Sequence, residues 1–260
     1  MPSPETPAPA ATLWHRLNPL TKLVAAIATG VAALIAGGLL IPLALIAGAV
    51  LLPAASAGVL PRLMRAVLVL TLPLAVSVLV VNLLFFPAGQ DVLFRLGPLT
   101  GTADGLRYGV EVLVRLLALS GGVTLFYLTT RPGDLTLDLE RRGVSPRVAF
   151  VANASIGTVP AILERAEAIT QAQRARGLDT EGGLLARARG IVPIVGPVIL
   201  GAIAEVERRT LALEARGFGR PGRRTLLWEP PDSGAQRAAR WAMVLALPLL
   251  AVLRATVGLP

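Results

Sequence analysis

Residues 23–61 read LVAAIATGVAALIAGGLLIPLALIAGAVLLPAASAGVLP, a run of 39 residues without a charged side chain. Because about 20 apolar residues cross the hydrocarbon core of a bilayer as a helix, this run is long enough for two membrane spans. The pair Gly37-Gly38 lies near its middle and predicts a tight turn. We therefore expect an integral membrane protein whose first two spans cover 22–36 and 38–56.

The remainder of the chain continues this pattern. Further long apolar stretches occur at 66–90, 106–129 and 238–257. Hydrophobic residues make up 54% of the chain and charged residues 16%, against roughly 45–50% and about 25% in soluble domains. The predicted fold class is an all-α integral membrane protein with about five transmembrane helices.

Two shorter uncharged runs, 148–163 and 190–204, have 16 and 15 residues. Both fall below the length of about 18 residues that indicates a membrane span, and both continue into charged amphipathic helix. We expect these two segments to be buried in protein or to lie at the membrane surface. The first charged helix is predicted to begin near Pro160, a residue that suits a first helical turn.

Positive charge is concentrated in one part of the chain. The net charge is +9, and residues 131–240 contain 17 of the 24 arginines. Since cytoplasmic segments of membrane proteins carry an excess of Lys and Arg, we expect this part and the N-terminus to face the cytoplasm, in the cell membrane. This explanation and the scarcity of aromatic side chains both argue against nucleic acid as a partner.

The same features divide the chain into four parts. Residues 1–13 contain four prolines and are expected to be a disordered N-terminal tail. Residues 14–130 are expected to hold transmembrane helices 1–4, residues 131–237 a cytoplasmic insertion, and residues 238–260 the last transmembrane helix.

The residue inventory excludes several classes of site. The chain has no cysteine and a single histidine, His15, which rules out a thiolate metal site and a zinc site built from histidines. The one lysine, Lys22, is not preceded by a glycine-rich phosphate-binding loop, so the chain lacks that way of binding ATP. We expect no catalytic residue, no metal ligand and no cofactor.

Two helix ends in the insertion are alike in sequence. Residues 171–178 read QAQRARGL and residues 211–218 read LALEARGF, so both contain Ala-x-x-Ala-Arg-Gly and an apolar residue. Because glycine favours the left-handed backbone that ends many helices, both helices are predicted to stop at this glycine. A third Ala-Arg-Gly, at 188–190, lacks the upstream alanine and is predicted to open a helix.

The arginine of each predicted helix end has two interpretations. It complements the dipole of its own helix, or it reaches past the small alanines to the carboxylates of a partner. The residues alone leave both open. The candidate site consists of Ala175, Arg176, Gly177, Ala215, Arg216 and Gly217.

With these motifs the chain resembles the transmembrane T component of energy-coupling factor (ECF) transporters. The opening Asn-Pro-Leu-Thr-Lys-Leu at 18–23 and the paired Ala-Arg-Gly helix ends carry the resemblance, which covers about 14–256. It implies a non-enzymatic membrane scaffold for micronutrient uptake, with vitamins or transition-metal ions as cargo. The implied partners are membrane lipids, a substrate-binding S component and two ATP-binding cassette ATPases. The resemblance implies that the six candidate residues contact the ATPases.

Two alternatives from other classes remain. Asp134, Asp138 and Glu140 could hold Mg²⁺ in a membrane-embedded enzyme acting on lipid head groups, unless they only balance neighbouring arginines on a solvated helix. Glu111 and Arg115, spaced four apart in a predicted span, could serve an ion-coupled carrier, unless they neutralise each other.

Overall fold

A computed structural model describes most of the chain. For 96, 99, 100 and 184–189 it describes the backbone only. The described residues are 12, 14–86, 91–96, 99–178, 183–219 and 230–257. The predicted N-terminal tail, 1–13, therefore lies almost wholly outside the described residues. The described part is helical almost throughout, which confirms the all-α fold class.

Within the described residues the chain forms nine α-helices, one π-helical turn and two short strands. In chain order they are α1 Pro19–Ala36, α2 Leu40–Leu45, the π-helical turn Ile46–Leu51, α3 Leu52–Ser56, α4 Leu60–Phe85, β1 Val92–Leu96, β2 Leu99–Thr102, α5 Ala103–Thr129, α6 Pro132–Arg141, α7 Pro146–Ala175, α8 Leu184–Ala215 and α9 Gly234–Val257.

These elements divide between two compact units. Unit 1 comprises Met1–Leu135 and Pro230–Pro260, and unit 2 comprises Thr136–Glu229. In unit 1, α5 packs against both α1 and α4. The contact between α1 and α5 is formed by small residues. A methyl group at Gly122 would lie 3.1 Å from the carbonyl oxygen of Ala26 in α1, so the two backbones approach closely only because Gly122 has no side chain.

The predicted turn at Gly37-Gly38 is confirmed, since both glycines have positive φ angles, 66° and 56°. The apolar segment that follows differs from the single regular helix expected at 38–56. It is divided into α2, the π-helical turn and α3, and it spans only Leu40–Ser56. Val50 of the π-helical turn lies against Gly121 of α5, and its side chain is 2% exposed.

Six helices among the described residues are long and apolar enough to cross a membrane, one more than the expected five. They are α1, α4, α5, α7, the part of α8 from Gly190, and α9. Two candidates, α7 and α8, are added, and the expected span at 38–56 is not among the six because Leu40–Ser56 is shorter. Helices α7 and α8 are long because they continue past the charged residues that end the uncharged runs 148–163 and 190–204. Run 148–163 lies in the first part of α7, which has 30 residues, and run 190–204 lies in the middle of α8, which has 32.

Helices α7 and α8 differ from two expectations, one about where the first charged helix begins and one about where the uncharged runs lie. The expected helix start at Pro160 is wrong, since α7 begins at Pro146 and Pro160 lies inside it. Only 6% of the apolar window of α7 and 6% of that of α8 are buried within the chain. Of the two positions expected for these segments, the one at a membrane surface therefore stays a prediction.

A small hairpin follows α4 and was not expected from the sequence. Strands β1 and β2 pair antiparallel, with an irregular register between Val92 and Phe94. The hairpin leads into α5, whose first turn is capped by Thr102: its hydroxyl oxygen accepts a hydrogen bond of 3.2 Å from the backbone N–H of Gly105.

Candidate functional site

The first Ala-Arg-Gly motif ends α7 in a defined geometry. Gly177 has a φ of +93°, and its N–H donates to the carbonyl of Arg174 at 2.9 Å. The N–H of Leu178 donates to the carbonyl of Gln173 at 3.0 Å. This pair of bonds satisfies carbonyls that the helix leaves free and fixes the direction in which the chain leaves it.

The second motif repeats this geometry at the end of α8. Gly217 has a φ of +74°, and its N–H donates to the carbonyl of Glu214 at 2.9 Å. The N–H of Phe218 donates to the carbonyl of Leu213, also at 2.9 Å. Both helices thus end at the glycine that the sequence pattern predicts, and in the same way.

The arginines of the two motifs are exposed, as are the alanines that precede them, Ala175 and Ala215. Among the described residues, neither Arg176 nor Arg216 forms an ion pair. Both guanidinium groups are therefore available to a partner, while each also occupies the helix end where a positive charge is favoured.

Helices α7 and α8 run antiparallel. Three contacts spread along their length establish this: Gln173 with Pro193, Arg165 with Glu205, and Phe150 with Phe218. The C-terminal end of α7 thus lies beside the first half of α8, and the C-terminal end of α8 beside the start of α7. At a rise of 1.5 Å per residue, Arg176 and Arg216 stand about 35–40 Å apart along the pair.

One of these contacts follows from a proline. Pro197 has no N–H, so the carbonyl oxygen of Pro193, four residues earlier, loses its partner within α8. The side-chain amide of Gln173 in α7 donates to that oxygen at 3.4 Å. Helix α7 thus supplies the hydrogen bond that Pro197 removes from α8.

The middle of the helix pair balances its own charge. Glu205 accepts from Arg209 at 2.7 Å and from Arg208 at 2.8 Å, and Arg165 of α7 lies 3.6 Å away. Glu205 precedes Arg209 by four residues, which is the favourable order for an ion pair along a helix. The exposed Arg176 and Arg216 differ from these arginines in having no carboxylate of their own in the described chain.

The third copy of the motif is placed differently. Residues 188–190 lie within the first two turns of α8, which continues unbroken to Ala215. This confirms the prediction that the copy opens a helix.

Two further helix ends of the same geometry are not indicated by the sequence analysis. One closes α3 at Gly58, which has a φ of +68° and follows an alanine instead of an arginine. The other closes α6. α6 ends before Gly143, which has a φ of +106°, and the N–H of Val144 donates to the carbonyl of Leu139 at 3.1 Å. Arg142 occupies the position of Arg176, but its Nε donates to Asp138 at 3.0 Å. The Arg-Arg-Gly at 141–143 was the available signal; its arginine is already paired within the chain.

The acidic residues of α6 give little support to the magnesium alternative. Among the described residues, no three His, Cys, Asp or Glu side chains are grouped so that they could hold a metal ion. The Asp138 carboxylate is 2% exposed and faces Arg142 instead. This is the charge balance that the sequence left open as the simpler interpretation.

The ionisable residues of α5 pair with one another. Glu111 lies 3.2 Å from Arg115 and 3.6 Å from Arg107, so one carboxylate is shared by two arginines. A charge that moves during ion-coupled transport would have to break both pairs, which makes the carrier alternative the weaker one.

The opening motif at 18–23 also has a defined place, at the start of α1. The side chain of Asn18 is fully buried, and its oxygen accepts a hydrogen bond of 2.9 Å from the N–H of Leu20, which caps the helix. Four residues on, Lys22 is 4% exposed. Burial and the positive charge of Lys22 lower the pKa of the neighbouring His15, which keeps that imidazole neutral at pH 7.

Replacing Gly177 by alanine tests the helix end itself. The left-handed backbone at this position disfavours a side chain, so Gly177→Ala should lower the stability of the last turn of α7 by about 1–2 kcal/mol. Gly157→Ala is the matched control, because Gly157 lies inside α7 with open space around it. The control should be neutral or stabilising by up to about 1 kcal/mol. Thermal unfolding of both variants in detergent measures the difference, and equal unfolding temperatures would contradict the assignment.

Comparisons with known proteins identify the family. Residues 10–226 match the cobalt transport protein family, CbiQ. The energy-coupling factor transporter transmembrane protein EcfT of Heliobacterium modesticaldum is 32% identical over 89% of this chain and 91% of its own length. The EcfT proteins of Thermosediminibacter oceani and Limosilactobacillus fermentum are each 30% identical, over 94% and 86% of this chain and 93% and 88% of their own lengths. With its apolar helices and its paired motifs, this chain therefore belongs to the CbiQ cobalt transport protein family.

Proposed function

We propose that this chain is the coupling subunit of an ECF transporter, passing conformational change from two ATP-binding cassette ATPases to a substrate-binding S component. The chain is a multi-pass membrane protein of a transport family whose members are not enzymes. The names of its relatives support the transporter class. The six residues of the two Ala-Arg-Gly motifs are the proposed contact with the ATPases.

One observation carries the proposal: two helix ends of the same geometry, each with an exposed arginine, stand at opposite ends of one antiparallel helix pair. A partner made of two similar subunits requires two similar contacts at a distance from each other. Arg176 and Arg216 meet that requirement, because a guanidinium forms two parallel hydrogen bonds with a carboxylate.

The arrangement also bears on how α7 and α8 lie. If an antiparallel pair crossed the bilayer, its two C-terminal ends would face opposite sides of the membrane. Two ATPases in the cytoplasm can reach both arginines only if the pair lies along the cytoplasmic surface. Exposed apolar residues along both helices would then face lipid or the S component, among them Val159, Leu163, Ile203 and Val206.

In this orientation the remaining apolar segments cross the membrane. They are α1, the divided segment Leu40–Ser56, α4, α5 and α9, five in all. The N-terminus then faces the cytoplasm and the β1–β2 hairpin faces outward.

Co-purification tests the proposal most directly. A tagged form of the chain, expressed together with ATP-binding cassette ATPases and an S component of its host, should elute with both. Elution of the chain by itself from membranes that contain the other subunits would contradict it.

The purified chain alone should neither bind nor hydrolyse ATP, because its one lysine follows no phosphate-binding loop. Equilibrium binding of a fluorescent ATP analogue to the detergent-solubilised chain measures this, with the co-purified complex as the positive control. Saturable nucleotide binding by the chain alone would contradict a subunit that takes its energy from separate ATPases.

A further inference from the structure

The chain passes between its two units twice. It leaves unit 1 after Leu135 and returns to it at Pro230. These two crossings are the covalent routes by which a displacement of unit 2 reaches unit 1. The residues that hold unit 1 next to the crossings therefore decide what such a displacement moves.

Lys22 forms hydrogen bonds in unit 1 shortly before the first crossing. Its ammonium group donates to the carbonyl oxygen of Thr129, the last residue of α5, at 3.0 Å, and to that of His15 at 3.4 Å. Trp14 adds a contact to the same place, since its indole N–H donates to the Thr129 hydroxyl at 3.3 Å. The chain turns from α5 to α6 immediately after this point.

Arg240 holds the second crossing. Its guanidinium contacts both carboxylate oxygens of Asp232, at 3.0 and 3.1 Å, and donates to the hydroxyl of Thr21 at 2.8 Å. Gln236 accepts from the backbone N–H of Asn18 at 2.8 Å. Asp232 lies two residues after the chain returns to unit 1. The start of α1 is therefore hydrogen-bonded beside this crossing as well, through Thr21 and Asn18.

We propose that residues 18–22 form a clamp that grips both crossings, which makes Lys22 and Arg240 positioning residues for coupling. Residues 18–22 form hydrogen bonds beside both crossings. A displacement of either crossing by unit 2 is therefore transmitted to α1, α5 and α9 together. This role rests on the proposed function, whereas the clamp itself is a property of the chain alone.

The chemistry of the clamp supports a role beyond packing. Lys22 and Arg240 are 4% and 7% exposed, and burying a charged group is costly unless hydrogen bonds compensate. Apolar side chains of similar length would fill the same space without that cost. Hydrogen bonds give what apolar packing does not: a fixed register between three chain segments.

Hydrogen exchange in the full-length chain, in detergent, tests the clamp. Lys22→Met should accelerate exchange of the amides at 130–135 and also at 232–238, although it contacts only the first crossing. Loss of a hydrogen bond from a charged group corresponds to roughly ten- to a hundredfold faster exchange. Arg240→Met should accelerate exchange at the same two segments.

The chain offers a matched control. Arg237 lies one turn from Arg240 and also pairs with Asp232, at 3.8 Å, but its side chain is 65% exposed. Arg237→Met should leave exchange unchanged at both crossings, and Lys22→Arg should restore protection at both. If Lys22→Met does not accumulate, Thr21→Val takes its place, since it removes the hydroxyl and keeps the volume. Acceleration confined to the nearer crossing, or absent in both variants, overturns the clamp.

A second arm measures coupling, with ATP as the probe. In the complex with the ATPases, ATP should change exchange in α7 and α8 and also at the ends of α1 and α5. Lys22→Met should keep the change in α7 and α8 and lose the change in α1 and α5. An ATP response in α1 and α5 equal to that of the wild type overturns the positioning role. A wild-type chain that binds no ATPase overturns the proposed function, while the result on the chain alone still decides whether the clamp exists.

Discussion

A chain that carries both Arg176→Ala and Arg216→Ala is expected to lose ATP-driven transport and to release its ATPases, while it remains folded and inserted in the membrane. Both side chains are exposed and unpaired within the described residues, so their loss disturbs few contacts in the chain itself. At a partner's surface, truncating one member of a buried, hydrogen-bonded charge pair costs about 2–5 kcal/mol. Two such losses exceed what most subunit contacts tolerate.

The measurement compares ATPase recovery on the tagged chain with the yield of the chain in the membrane. Arg208→Ala is a control on the same helix, since Arg208 is exposed but already paired with Glu205. Arg189→Ala is a second control, from the motif copy that lies inside α8. Single changes to lysine should recover only part of the binding, because an ammonium cannot form two parallel hydrogen bonds. Normal transport by the double variant together with a defect in Arg189→Ala would show that the wrong arginines were chosen.

The second large effect concerns the side of the membrane that the two motifs face. The chain has no cysteine, so a single introduced cysteine reports its own position without background. Ala175→Cys and Ala215→Cys, both at exposed positions, should react with an impermeant maleimide in inside-out vesicles and not in intact cells. The difference should be close to all or none, since the reagent does not cross the bilayer.

Val92→Cys provides the opposite control. Val92 is exposed in the β1–β2 hairpin, three crossings after the N-terminus in the proposed topology, and should react only in intact cells. If Ala175→Cys and Ala215→Cys were labelled from opposite sides, α7 and α8 would cross the membrane. The two arginines could not then serve one pair of cytoplasmic ATPases.

Local signals made much of this fold predictable. Long, predominantly apolar runs mark α1, α4, α5 and α9 because a helix needs about 20 such residues to cross the hydrocarbon core. Glycine at 177 and 217 marks the helix ends because the left-handed backbone favours a residue without a side chain. Both signals depend on residues adjacent in sequence, which a single sequence displays directly.

Other features depend on partners that are distant in sequence. Pro160 alone predicts a helix start, because proline suits a first turn, yet α7 contains this proline in its interior. Val50 of the π-helical turn lies against Gly121, 71 residues later. The bond between Thr21 and Arg240 spans 219 residues. Nothing in the sequence near any of these residues indicates the distant partner.

The length of α8 has a mechanical consequence. An α-helix resists compression along its axis because every turn is already closed by hydrogen bonds at a fixed rise. In the proposed complex, two ATPases bound at Arg176 and Arg216 therefore could not approach each other by shortening α8. The approach must instead tilt the helix pair or bend it where the hydrogen-bond ladder is interrupted, at Pro193 and Pro197. In the proposed complex, a linear closing motion of the ATPases would thereby be converted into a rotation of the helix pair.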